Sequence, residues 1–229
     1  MSDNRIIKIW RDPYNQKFNT TSARNIKFST GVTVLVGCNG AGKKTLLYNI
    51  QEENEKQNIP VYKFSNLGMV QKMMDRASFE GDFTFIATVT ASSEGECTTI
   101  VLGETLEKIK QFIKTGKNPD KKKFFKQEED DEEVTSTERW LLFDSIDSGY
   151  SIDNIIIIKK LFDRMIKDAK DNNIDLYIIV STNAYEFANE SRCIDVMSGK
   201  EITFKSYDDY KNFILKTSDL KEKRYEKRE

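Results

Sequence analysis

Histidine is absent from the 229 residues, so no His-dependent triad, zinc–histidine site or histidine general base is available within this chain. Cysteine is scarce and odd in number. Cys38, Cys97 and Cys193 are scattered, which points to a reducing cytoplasm rather than a disulfide framework. No apolar run is long enough to span a bilayer, and the first residues (Met1, Ser2, Asp3, Asn4) carry no signal-peptide pattern, so the expected location is cytoplasmic. A surplus of one charge is missing as well. Thirty-six basic against thirty-seven acidic residues leave a net charge of −1, which removes bulk electrostatics as an argument for nucleic-acid or membrane binding. What is present is 38% apolar and 32% charged, the composition of a globular chain with a heavily charged surface and enough length for a real hydrophobic core.

The first strong local signal is a buried strand over Val32–Val36 that runs into Gly37-Cys38-Asn39-Gly40-Ala41-Gly42-Lys43-Lys44-Thr45 and then a helix through Leu46 to Ile50. Before it, Arg5–Trp10 and Asn25–Phe28 read as short strands. Pro60–Phe64 reads as another strand, and Ser65–Ala91 as a small, loosely defined helical lobe. Leu102, Leu106, Ile109 and Ile113 recur at helical spacing over Glu96–Lys114, with Glu104 four residues before Lys108. Gly116 and Asn118-Pro119 close that helix, and Lys121–Glu133 reads as a solvated charged insertion. Trp140–Phe143 is a second buried strand ending at Asp144, Ile152–Ala169 an amphipathic helix, and Leu176–Thr182 a third buried strand. A hairpin over Asp195–Phe204 turning at Ser198-Gly199, a helix through Tyr210, Phe213 and Ile214, and a charged tail over Lys221–Glu229, read as a solvated or frayed helix, follow. Strands alternating with helices predict a single α/β domain, with a mostly parallel sheet, a short antiparallel N-terminal region and a small helical lobe over about 65–115. The charged insertion occupies about 116–136.

Strand, glycine-rich turn, helix is the setting in which backbone N–H groups surround phosphate oxygens. Gly37, Gly42 and Lys43 satisfy G-x-x-x-x-G-K-[ST] except at its last position, where Lys44 stands in place of the hydroxyl that binds Mg²⁺. An ammonium cannot ligate a metal.

Four motifs in order resemble those of the ATP-binding-cassette ATPases. Asn39 within the loop and Leu46-Leu47 after it are similar to the family's phosphate loop, and Ser92-Ser93-Glu94-Gly95-Glu96 resembles its signature sequence. Trp140–Asp144 resembles the Walker B strand, and Ser148–Asp153 the D-loop. Glu96 and the lack of membrane segments are similar to the soluble branch, the structural-maintenance-of-chromosomes and double-strand-break-repair ATPases, here without room for their coiled coil between Gln51 and Ala91. The resemblance implies a P-loop NTPase fold and two heads closing head to tail over ATP. Gly37, Asn39, Gly40, Gly42 and Lys43 would hold the phosphates, with Lys43 at the β- and γ-phosphates and Thr45 beside the α-phosphate. Ser93, Gly95 and Glu96 belong to the turn that reaches across from the other copy. Asp144 would hold Mg²⁺ or its water, and Gln71 or Asn66 either senses it or is an ordinary loop residue.

The departures fall on the hydrolytic parts. Ser145 stands where glutamate polarises water, Asn183 where a switch histidine is common, and Glu94 where the signature has glycine. Lost proton acceptors typically cost roughly two to four orders of magnitude in rate, so slow or absent hydrolysis is expected; Asp147, two residues beyond Ser145, is the one candidate for a substitute base. A helix starting one residue later, pairing Lys44 with Thr45, is the alternative register. Trp10 or Tyr14 either stacks on adenine or belongs to the core, and Cys38 is either a redox group or a small filler. The expected partner is a second copy of the chain, with a different protein as the other candidate and nucleic acid only through the basic tail. An interaction module that needs no nucleotide is the competing function.

Overall fold

In a computed structural model of the protein, the residues described are 4–10, 21–65, 69–92, 94–120 and 134–226. Three of the strands are mostly apolar and buried along their middles: β3 (Gly31–Val36), β5 (Glu138–Asp144) and β6 (Asp175–Ser181). Such runs suit strands buried on both faces of a parallel sheet. The six-stranded sheet has the order β4-β5-β6-β3-β7-β8, with β4 (Val61–Ser65), β7 (Arg192–Asp195) and β8 (Lys200–Ile202). Neighbours are parallel except β7 and β8. A separate antiparallel pair joins β1 (Arg5–Lys8) to β2 (Asn25–Phe28).

Alternation along the strands sorts the core into two layers. Val34, Val36, Leu141, Phe143, Ile178 and Val180 face one layer, closed by Ile155, Ile158 and Phe162 of α5 (Ile152–Asp171) and by Ile109 and Phe112 of α4 (Glu94–Thr115). Leu35, Trp140, Leu142, Tyr177 and Ile179 face the other, closed by Leu46, Leu47 and Ile50 of α1 (Lys43–Glu55) and by Ile7, Ile26 and Phe28 of the antiparallel pair. Trp140 anchors this second layer, stacked on Tyr177 at 4.2 Å between ring centres and edge-on to Phe28.

The helical lobe has more definition than its sequence suggests. It contains α2 (Met69–Glu80), α3 (Phe83–Ala91) and the start of α4, and Asp82 begins α3 by accepting the Phe85 N–H at 3.0 Å. Lys108 bonds Asp120 at 2.6 Å, a partner outside the i,i+4 pattern. The predicted hairpin starts earlier: β7 begins at Arg192 and lies parallel to β3 before the turn leads into β8. After the short α6 (Tyr185–Ala188), helix α7 (Tyr207–Glu226) continues into the charged tail as far as Glu226, with Tyr210 and Thr217 buried. The charged insertion over Lys121–Glu133 lies outside the described residues. No helix among the described residues is long and apolar enough to cross a membrane.

Candidate functional site

Strand β3 ends at Val36 and α1 begins at Lys43, so the glycine-rich turn joins the carboxyl end of an interior strand to a helix N-terminus. Two glycines are required by the backbone. Gly37 has φ 149°, and a Cβ there would lie 3.0 Å from both Ala41 Cβ and Val196 Cγ2. Gly42 has φ 106° at the N-cap of α1 and supplies no side-chain cap. The opening N–H groups of a helix have no partner within it, and the first turn of α1 carries no acidic residue, so this end of the helix favours an anion.

The Lys43 ammonium is folded back over the turn. It donates to the Gly37 carbonyl at 2.6 Å, the Cys38 carbonyl at 3.2 Å and Asn183 Oδ1 at 2.8 Å. Burial lowers its pKa, opposed by the charges of Cys38, Asp147 and Asp144. The sheet order explains why these groups meet. Strand β6 lies between β3 and β5, so the segment after Ser181 emerges between the glycine turn and Asp144. Asp147 Oδ2 accepts the Asn183 N–H at 2.9 Å, and the Tyr210 hydroxyl donates to the Asn183 carbonyl at 2.8 Å.

Asp144 is buried at the end of β5. Ser145 follows in the left-handed region at φ 55°, its N–H bonded to the Ser181 carbonyl at 3.0 Å and its hydroxyl 3.5 Å from Asp144 Oδ1. A non-glycine residue in that conformation is a strained backbone position beside the site.

The chain matches no family model, no curated protein and no solved structure. Its chemistry is therefore read from its own geometry. The structure brings Lys43, Asn183 and Asp147 together, with Asp144 close enough to act on the lysine's charge. Lys44 and Thr45 are exposed on the first turn of α1, and α1 begins at Lys43, which leaves the alternative register without support. Asn39 and Gly40 form the exposed tip of the turn. Gly95 and Glu96 fall in the first turn of α4 and Gln71 in that of α2, while Ser93, Asn66 and Tyr14 lie outside the described residues. Trp10 is 59% exposed, with its backbone N–H donating to Asn49 Oδ1 of α1, so it is not a core residue. Cys38 is buried in the second core layer, as a filler would be.

Sequence reasoning missed the contribution of α7. Thr217 Oγ1 accepts the Cys38 N–H at 3.1 Å, and Lys221 Nζ donates to the Asn39 carbonyl at 3.1 Å. Tyr210, Thr217 and Lys221 follow helical spacing, but the last two are polar and so left no apolar periodicity to detect.

Among the described residues, no group of three or more Cys, Asp and Glu is placed to hold a metal ion. The donor set does not fit a magnesium ion: Asp144 offers a carboxylate, but the usual hydroxyl is replaced by the ammonium of Lys44. What the arrangement favours is a multiply charged anion at the turn, met by lysines and helix N–H groups rather than by a metal.

Proposed function

We propose that the chain is an ATP-binding head of the ATP-binding-cassette, SMC-like type, with a P-loop NTPase fold. It binds nucleotide at Gly37–Thr45 and uses it to control head-to-tail pairing of two copies or contact with a protein partner, and it hydrolyses ATP slowly or not at all. The observation that carries this is the turn itself: two glycines in backbone conformations suited to glycine, an uncapped helix N-terminus, and Lys43 reaching back over the loop carbonyls. A bound triphosphate would draw the Lys43 ammonium off those carbonyls onto its own oxygens.

Slow turnover is supported by what surrounds the turn. Ser145 has no carboxylate to accept a proton from water, and one oxygen of Asp147 is already taken by the Asn183 N–H. Pairing of two copies would bring the turn at Ser93, Gly95 and Glu96 of one to the phosphates of the other, as the resemblance implies.

Calorimetric titration with ATP, with and without Mg²⁺, tests the proposal. Binding of similar strength in both conditions is expected, and no heat in either rejects it. One observation favours the competing function, a protein-interaction module without nucleotide: Lys43 has three acceptors and the Cys38 N–H has Thr217, so these two groups are already partnered without a nucleotide. The same titration separates the two.

A further inference from the structure

We propose that Lys221, near the end of α7, is a second phosphate-binding lysine that contacts the outermost phosphate of the nucleotide. It rests on ATP binding at the glycine turn and adds a residue from the far end of the chain to that site.

Helix α7 is fixed against the turn one helical turn before Lys221. Thr217 is 3% exposed, and its hydroxyl donates to the Ile214 carbonyl at 2.8 Å while accepting the Cys38 N–H at 3.1 Å. The Lys221 side chain then runs along the tip of the turn. A Cβ on Gly40 would lie 3.6 Å from Lys221 Cδ and 4.0 Å from its Nζ. Three successive carbonyls are shared between two ammonium groups: Lys43 holds those of Gly37 and Cys38, and Lys221 holds that of Asn39.

An ammonium has three donors. Lys221 uses one on a carbonyl, and among the described residues it forms no ion pair. Two donors are thus left for oxygens of an anion. The inner phosphates lie against the start of the helix in a loop of this kind. Asn39 and Gly40 are further along the loop from α1, so a cation held there meets the phosphate that distinguishes ATP from ADP.

Calorimetric affinities for ATP and ADP, measured on the full chain and on Lys221→Gln and Lys221→Arg, test this. Lys221→Gln is expected to weaken ATP on the order of tenfold while leaving ADP nearly unchanged, and Lys221→Arg to retain the preference for ATP. Equal losses for both nucleotides, or no loss, would overturn the role of Lys221 while ATP binding by the parent chain leaves the nucleotide site standing. Failure of the parent chain to bind either nucleotide overturns both. If the glutamine variant does not fold, the ATP-to-ADP ratio of Lys221→Met is read in its place.

Discussion

Replacing Lys43 with methionine removes an ammonium and keeps a side chain of similar length. In the nucleotide-free chain the change acts in two directions. Hydrogen bonds to Gly37, Cys38 and Asn183 are lost, yet the burial that lowers the lysine's pKa is an unfavourable contribution that disappears with the charge. Asn183 is exposed, so water can replace that bond, whereas the carbonyls of Gly37 and Cys38 belong to buried residues and lose a donor. The net change in folding stability is expected to be small, within about 1–2 kcal/mol. Binding is affected in one direction only. Two charge-assisted bonds to phosphate, at roughly 1.5–3 kcal/mol each, correspond to about two to four orders of magnitude in Kd. Calorimetry gives the affinity and urea unfolding the stability of the same preparation. An ATP affinity within about fivefold of the parent, with the fold intact, would refute the placement of phosphate at this turn.

Raising the pH should weaken ATP binding before an ordinary lysine titrates, because burial holds the Lys43 pKa below 10.5 and the neutral amine no longer pairs with phosphate. Over that window the folded chain binds fewer protons than the unfolded one, so this group's contribution to stability grows as pH rises and falls as pH drops through the lowered pKa; Lys43→Arg should flatten both profiles. Gly37→Ala is expected to lower stability by about 2–3 kcal/mol in urea unfolding, since it combines a φ of 149° with 3.0 Å approaches to Ala41 and Val196. The pair Lys44→Ser and Ser145→Glu should raise phosphate release from ATP when Mg²⁺ is present; unchanged turnover would count against these positions as the cause of slow hydrolysis.

The core strands were legible because both of their faces are buried. Val32–Val36, Trp140–Phe143 and Leu176–Thr182 are apolar runs that need no periodicity to be noticed, and they match β3, β5 and β6 to within two residues at each end. The glycine turn was legible from residue type alone. Less visible was β7, whose four residues place Arg192 and Asp195 at its ends and offer too short a run to read as a parallel strand. Sheet order is not written locally. Nothing near Asn183 announces that β6 separates β3 from β5, yet that order is what brings its side chain to Lys43. Helix α7 was half legible, through Tyr210, Phe213 and Ile214. The inward role of Thr217 and Lys221 depends on a loop about 180 residues earlier in the chain.

The order of strands has a further consequence for how the molecule is made. A growing chain leaves the ribosome with β3, ending at Val36, long before its partners β6 and β7, which begin at Asp175 and Arg192. Pairings so distant are slow to form and leave apolar edges uncovered in the meantime, which invites chaperone capture and aggregation during synthesis. Thr217 lies later still, so the bond that ties the glycine turn to α7 is among the last contacts to become available.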